Sequence, residues 1–214
     1  MTDRLADLRR SYELGGLDEA GLASTWHEQF RGWLQDALAA GLDEPNATIL
    51  ATADAEGAPS ARTVLLKDVD PGGFVIFTNL GSRKASEMTA NPRAALTFPW
   101  FDLQRQVCVT GRVERVASAD ADAYFASRPR GSQLGAHASP QSQVIGSRAE
   151  LEVRWEALSA RWPEGTGVPR PPHWGGLRVV PDGVEFWQGR PNRLHDRLRF
   201  RAVGPGWVVE RLAP

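Results

Sequence analysis

The 214-residue chain is 42% hydrophobic and 24% charged, with a formal net charge of −1. That is enough chain to bury a core, and near-neutrality removes the electrostatic case for nucleic acid or an anionic membrane as partner. A single cysteine, Cys108, excludes an intrachain disulfide and fits a reducing compartment; with no secretory leader and no apolar run of membrane-spanning length, the expected location is cytoplasmic.

Residues 1–23 hold Leu8-Arg9-Arg10-Ser11-Tyr12 ahead of Gly15-Gly16, a charged run broken by glycines that periodicity alone reads as a frayed terminus. From Ser24 a helix is predicted. Trp26, Phe30, Trp33, Leu34, Ala37 and Leu38 recur at helical spacing and Gly41 ends it, so its apolar stripe is expected in the core. Residues 47–53 read as a first strand and Asp54-Ala-Glu-Gly57 as a turn. Arg62-Thr-Val-Leu-Leu-Lys67 and Phe74-Val-Ile-Phe-Thr78 flank a turn with Pro71, Gly72 and Gly73, which predicts a hairpin between them. Asn79-Leu-Gly-Ser82 leads into a helix capped by Ser82 and stopped at Asn91-Pro92. Residues 93–101 form a strand whose Pro99 points to an edge or a bulge, and residues 103–116 a long one. Ser118 opens a second helix, with Asp120 and Asp122 in its first turn, ending at Pro129. Residues 130–145 read as a polar loop or broken helix. Ser147-x-x-Glu150 reads as a capping box for a third helix with Leu151, Trp155, Leu158 and Trp162 on one face. After a proline-rich loop, strands are expected at 177–180, 184–188, 197–203 and 207–212, with turns at Asp182-Gly183 and Gly204-Pro-Gly206. Antiparallel strands with short turns predict a mainly β fold with flanking helices (α+β), a closed barrel in a single domain.

Cations stand at both ends of residues 62–67 and again at Arg83 and Lys84. With the free N–H groups of the helix that follows, they can converge on one anion, so the stretch looks like a phosphate site on a small barrel. Tyr124 and Arg128 lie one helical turn apart and Ser132 follows just past that helix. A phenol, a guanidinium and a hydroxyl suit a phosphate monoester, although a solvated helix end carries the same spacing. Arg193 and His195 alternate past Leu194 and can point one way in an extended segment. A flat Arg stacked on a ring is one use for them; a charged turn with Asp196 paired to an arginine is the other. No Walker loop, G-x-G-x-x-G or G-x-S-x-G motif is present. The four histidines lack metal-ligand spacing, so no metal is expected, and Cys108 reads as a buried structural thiol.

Taken together, several segments closely resemble, in order and spacing, the pyridoxine/pyridoxamine 5′-phosphate oxidases, flavin-dependent enzymes of vitamin B6 metabolism. They are Arg62-Thr-Val-Leu-Leu-Lys67, Phe77-Thr-Asn-Leu-Gly-Ser-Arg-Lys84, Phe98-Pro-Trp100, Arg105-Gln-Val107, Tyr124-Phe125, Ser127-Arg-Pro-Arg130 and Ser139-Pro-Gln-Ser142. Trp174-Gly-Gly176, Glu185-Phe-Trp-Gln188, Arg193-Leu-His-Asp-Arg197 and the final Arg211-Leu-Ala-Pro214 continue the series. The resemblance implies an FMN-binding split β-barrel that forms a homodimer with FMN at the subunit interface. It implies FMN contacts at Arg62, Thr63, Val64, Leu65, Leu66, Lys67, Phe77, Thr78, Arg83, Lys84, Gln106, Gln141, Ser142, Trp187 and Arg197. It implies substrate contacts at Lys67, Tyr124, Arg128, Ser132, Arg193 and His195, the last two also as catalytic candidates. Arg9 and Tyr12 match an N-terminal segment that closes over the substrate. That revises the reading of residues 1–23 and leaves residues 24–214 as the barrel with its C-terminal dimerisation and substrate region. Two departures stand out: the family often has Tyr where Phe77 stands and Trp where His137 stands. The implied reaction oxidises pyridoxine 5′-phosphate and pyridoxamine 5′-phosphate to pyridoxal 5′-phosphate, with hydride passing to FMN and O2 as acceptor, giving H2O2. Two other readings stay open: a non-catalytic carrier of FMN or pyridoxal phosphate, and a split-barrel flavin oxidoreductase with another substrate.

Overall fold

The computed structural model describes residues 11–214. Helix α1 (Trp26–Ala39) starts at Thr25, whose hydroxyl accepts the Glu28 N–H, and it buries Trp26, Phe30, Trp33 and Ala37. These side chains plug a sheet whose strands run in the order β2 (Pro59–Leu65), β1 (Ala47–Ala53), β5 (Arg93–Trp100), β6 (Arg105–Arg115), β7 (Trp174–Gln188), β4 (Gly73–Asn79) and β3 (Asp68–Asp70). Phe30 sits 5.0 Å from Phe74 and 4.8 Å from Phe98, ring centre to ring centre. Each ring so buried contributes about 1.5–3 kcal/mol of hydrophobic stabilisation. The expected core role of this helix is borne out, except that Leu38 is exposed.

The predicted hairpin between residues 62–67 and 74–78 does not form. β2 pairs along its whole length with β1, from Ala47↔Leu65 to Ala53↔Pro59. The cause is the turn before it: Asp54 Oδ1 accepts the N–H groups of Glu56 and Ala58, and Gly57 supplies the positive φ, 86°. β4 pairs instead with β3 and β7. The two residues between β2 and β3 then reach opposite ends of the sheet: Leu66 N–H donates to Asn46 O (2.9 Å) and Lys67 N–H to Val75 O (2.8 Å). These bonds close the barrel, and they place the cationic run on its seam.

The predicted turn at Asp182-Gly183 is also absent. β7 runs unbroken through it, and the β6–β7 register shifts between Thr110 and Gly111, so the extra residue is absorbed as a bulge. Asp182 turns outward there to accept from Thr110 Oγ1 and pair with Arg93. Opposite the bulge a Cβ on Gly111 would stand 2.2 Å from Val180 O, so only glycine fits. β7 is thereby shared: its first half pairs with β4, its second with β8 (Asp196–Val203), which carries β9 (Gly206–Arg211). Pro99 sits two residues past the last β1–β5 pair, Ile49↔Thr97, so it meets the edge condition without a bulge.

Three helices cover the far end: α3 (Ser118–Ser127), α4 (Arg130–Ala138) and α5 (Arg148–Arg161). The segment read as a polar loop or broken helix is largely α4. Leu134 and Phe125 anchor it in a second core with Val168 and Trp174. The expected capping box is incomplete: Ser147 makes no side-chain cap bond, and Glu150 accepts from Gly146 N–H. Leu158 and Trp162 of α5 pack on this core, but Trp155 is exposed.

Candidate active site

A cleft of about 500 Å³ opens where the barrel seam meets α4 and the start of α2 (Arg83–Ala90). Its walls bring together Arg62, Thr63, Val64, Leu65, Lys67, Phe77, Thr78, Lys84, Arg128, Ser132 and Gln141, residues drawn from eighty positions of sequence. Leu66 departs from its neighbours: its side chain is buried in the barrel core. Arg83 and Ser142 stand outside the wall, Arg83 on the exposed face of α2 and Ser142 in a left-handed turn (φ 71°) beside Gln141.

Lys84 is held by neutral oxygens. Its Nζ donates to Gln141 Oε1 at 2.8 Å, Thr78 Oγ1 at 3.1 Å and Ser82 Oγ at 3.4 Å. Burial pushes its pKa below the ordinary lysine value, and the charge of Arg62 adds to the effect. Ser82 occupies the cap position of α2, but its hydroxyl makes no cap bond and faces Lys84 instead. Arg62 donates to Leu50 O, Thr52 Oγ1 and Ser60 Oγ and pairs with the buried carboxylate of Glu87 at 3.4 Å. Burial raises the Glu87 pKa, but hydrogen bonds from Ser60, Thr52 and Arg83 outweigh it and hold the group at about 2.

Arg128 forms the opposite wall. Its guanidinium lies 4.8 Å from the Trp174 ring centre and 5.6 Å from that of Phe125. Its Nη1 is the one buried side-chain nitrogen or oxygen without a hydrogen-bond partner among the described residues. Desolvation lowers its pKa, and Tyr124 partly opposes this. Phe77, Tyr124 and Trp174 stack nearly parallel, with Phe77 4.2 Å from Tyr124 and 5.3 Å from Trp174. Without a hydroxyl, Phe77 serves this stack as a ring alone. An unpartnered guanidinium beside Lys67, Ser132 and a desolvated lysine fits an anionic guest, and a cleft that also holds an aromatic wall fits a phosphorylated heterocycle. His137 has a structural post: its Nε2 meets Pro169 O at 2.7 Å and its ring packs on Trp162.

The remaining predicted residues gather elsewhere. Tyr12, Gln106 and Trp187 line a smaller hollow of about 210 Å³ with Phe101, Gln104 and Arg105. Tyr12 lies edge-on to Trp187 at 5.7 Å, and His195 packs 4.7 Å from Trp187. Tyr12 covers Gly189 so closely that a Cβ there would stand 2.7 Å from its ring. His195 Nδ1 accepts the Arg190 N–H at 3.1 Å, which leaves Nε2 as the protonated, donating nitrogen. The extended segment expected around Leu194 is replaced by a turn: Pro191–Arg193 is a 3₁₀ helix in which Asn192 and Arg193 are left-handed (φ 58° and 63°). Arg193 is exposed there. Asp196 is indeed paired, with Arg211 at 2.9 Å and Arg190 at 3.5 Å. Arg197 is bound twice by Glu185, at 2.7 and 3.1 Å. Arg9 lies outside the described residues.

These two groups are far apart in one chain. Eleven residue steps along β7 lead from Gly176, opposite Phe77, to Trp187, opposite Gln106, which is about 35 Å of contour along the strand. Residues 34–161 match the family described as pyridoxamine 5′-phosphate oxidase, and residues 174–214 match the pyridoxine 5′-phosphate oxidase C-terminal dimerisation region. The chain belongs to the pyridoxamine 5′-phosphate oxidase family. It is 60% identical to the pyridoxine/pyridoxamine 5′-phosphate oxidase of Salinispora arenicola (strain CNS-205), covering 98% of this chain and 96% of that one. The corresponding protein of Burkholderia orbicola (strain MC0-3) is 55% identical over 98% and 99% of the two chains. Among solved structures, PhzG from Burkholderia lata 383, in complex with tetrahydrophenazine-1-carboxylic acid, superposes with a TM-score of 0.89 at 29% identity, covering 96% of this chain and all of that one. A pyridoxamine 5′-phosphate oxidase-related, FMN binding protein from Nostoc punctiforme PCC 73102 shares the fold, with a TM-score of 0.71 at 18% identity over 91% and 100% of the chains. The expected split-barrel fold is therefore borne out. Within this oxidase family the dimerisation region holds Trp187, Arg193, His195 and Arg197, the cluster remote from the cleft. Sequence reasoning missed Glu87 and gave Trp174 no role; the four-residue spacing of Arg83 and Glu87 on one helix was the available signal.

Proposed function

We propose that the protein oxidises pyridoxine 5′-phosphate and pyridoxamine 5′-phosphate to pyridoxal 5′-phosphate, with FMN as cofactor and dioxygen as electron acceptor. The observation that carries this reading is the Arg128 guanidinium, desolvated against Trp174 and left with a buried, unpartnered nitrogen on a cleft that also presents Lys67 and Ser132. The family assignment and the names of its 60% and 55% identical relatives support the substrate class.

FMN supplies the two-electron chemistry when bound, accepting hydride from the substrate's C4′ carbon and passing the electrons to dioxygen to give hydrogen peroxide. The residues that fit its phosphate are Arg62 and Lys84, two cations in one cleft with a neutral hydrogen-bond lattice around the lysine. Lys67, Tyr124, Arg128 and Ser132 hold the substrate phosphate, and so fix where the reacting carbon lies. Arg193 covers the pyridine ring. His195 donates through Nε2, because its Nδ1 is already engaged by the Arg190 N–H. From the amine substrate, hydrolysis of the imine product yields the aldehyde and ammonia.

The cleft and the Trp187 hollow share no lining residue, and about 35 Å of contour along β7 lies between them, which argues against one copy closing both groups on one small ligand. The reading therefore takes Gln106, Trp187, Arg193, His195 and Arg197 from the second copy of a homodimer, with the cofactor at the interface. Tyr12, which packs on Trp187 and His195, brings the N-terminal segment over the same shared site.

The test is to purify the protein, record its visible spectrum and add pyridoxine 5′-phosphate without oxygen. A yellow protein that bleaches, then recovers in air as the aldehyde appears, is the expected outcome. A yellow protein that never bleaches would move the function to a carrier or to another substrate, such as a tricyclic carboxylic acid of the kind bound by PhzG. A protein that FMN cannot reconstitute would overturn the cofactor as well.

A further inference from the structure

Glu87 is a buried carboxylate, 5% exposed, on the inner face of α2. A buried charge persists only when its oxygens are filled, and these are filled from three elements. Thr52 of β1 (2.5 Å) and Ser60 of β2 (2.6 Å) donate hydroxyls to Oε2, and Arg62 of β2 approaches the same oxygen at 3.4 Å. Arg83, one turn back along α2, donates its Nε to Oε1 at 2.7 Å.

The two arginines differ in their other support. Arg62 also bonds Leu50 O, Thr52 Oγ1 and Ser60 Oγ, so both of its terminal nitrogens are engaged in this lattice while the side chain, partly exposed, lines the cleft. Arg83 has an exposed side chain and, among the described residues, Glu87 as its one side-chain partner. Arg62 faces a second cation, Lys84, which no carboxylate among the described residues balances. Glu87 therefore supplies the counter-charge that keeps Arg62 in place beside Lys84, and it sets the direction of Arg83 at the helix start.

We propose that Glu87 is a positioning residue for the cofactor phosphate: through Arg62 it fixes the arrangement of the Arg62 and Lys84 cations that tells a phosphorylated flavin from an unphosphorylated one. The proposal rests on the FMN reading of the cleft. The rival role is a plain structural tie of α2 to β1 and β2, and the two part company in ligand selectivity. A glutamine at 87 has one acceptor oxygen where the carboxylate has two. Its amide would meet the donors of Arg62 or Arg83 with a donor, so one arginine is released.

The experiment measures equilibrium binding of FMN and of riboflavin to flavin-free protein by quenching of flavin fluorescence, for wild type and Glu87→Gln. The expected result is a loss of about tenfold or more in FMN affinity with riboflavin affinity unchanged, because riboflavin has no phosphate for Arg62 and Lys84 to hold. Ser60→Ala, on the partly exposed strand β2, removes one donor to Glu87 and provides a milder version of the change: a few-fold loss for FMN alone, readable even if E87Q folds poorly. FMN and riboflavin weakened alike, or FMN affinity unchanged or raised in both variants, overturns the proposal and leaves the structural tie. A wild-type protein that binds FMN no better than riboflavin overturns the phosphate reading of the cleft, and this proposal with it; a wild-type preference retained by both variants overturns only the role of Glu87.

Discussion

At the Phe77 end of β7, Lys84 donates only to neutral oxygens and Arg128 keeps a buried nitrogen with no partner among the described residues. At the Trp187 end, Arg197 is held by Glu185, Arg190 by Asp196, and Arg211 by both Asp196 and Glu19. The same residue types thus stand in opposite electrostatic conditions. Arg190 and Arg211, whose counter-charges lie in their own chain, shape the fold; Lys84 and Arg128, without one among the described residues, are free to meet a charge from outside. The sharpest way to break this contrast is Arg128→Ala. Losing a charge-assisted hydrogen bond to a phosphate costs about 2–3 kcal/mol, roughly 30- to 150-fold. The expected outcome is a rise of that order in KM for pyridoxine 5′-phosphate, a smaller change in kcat, and unaltered FMN binding. A variant with wild-type KM would remove Arg128 from the substrate site.

The contrast also predicts how the two ends cooperate. If the Arg193 end of one copy completes the Arg128 cleft of another, the two single variants should rescue each other. Arg193→Ala is expected to slow the chemistry as well as weaken binding. Mixing unfolded Arg128→Ala and Arg193→Ala chains and refolding them together makes half the dimers mixed, each with one intact site, so activity should return to about a quarter of wild type. Activity no greater than the mean of the two variants alone would place both residues in sites built by a single chain.

Much of this was legible in the sequence because the signals were local. The aromatic spacing of α1 and the punctuation by Gly57 and by Asn91-Pro92 each name a structure without reference to distant residues, whereas Arg128, read as one helical turn from Tyr124, is extended just past the end of α3. The failures share a non-local cause. Residues 62–67 and 74–78 look like a hairpin, but β1 offers β2 a full seven-residue partner across a tighter turn. Asp182-Gly183 has turn chemistry, yet the long strand β6 carries β7 past it by way of a bulge. The 130–145 segment is polar in sequence and becomes helical where Leu134 finds the Trp174 core. In the site, the cations could be read from the sequence because the resemblance fixes them residue by residue. Which of them are neutralised within the chain could not: Glu87 lies 25 positions from Arg62, and Glu19 lies 192 from Arg211.

The paired end yields the smallest expected effect, and it sharpens the contrast from the other side. Arg211 holds Glu19 through two bonds of 2.9 Å, which ties the described part of the N-terminal segment to β9. Hydrogen bonding to Arg211, its largest cause, lowers the Glu19 pKa from 4.5 to about 2. A carboxylate with a depressed folded pKa stabilises the fold above its unfolded value and loses that contribution as pH falls through the folded one. The pair is solvent-exposed, so its worth is small and screened by salt. Glu19→Gln is therefore expected to shift the melting temperature by no more than about 2 °C at neutral pH, with the gap from wild type closing between pH 4.5 and about 2. FMN affinity should not move, since no residue of the cleft touches this pair. A drop of several degrees, or a loss of FMN, would show that the internally paired cations do more than pin the chain, and the division between the two ends of β7 would fail.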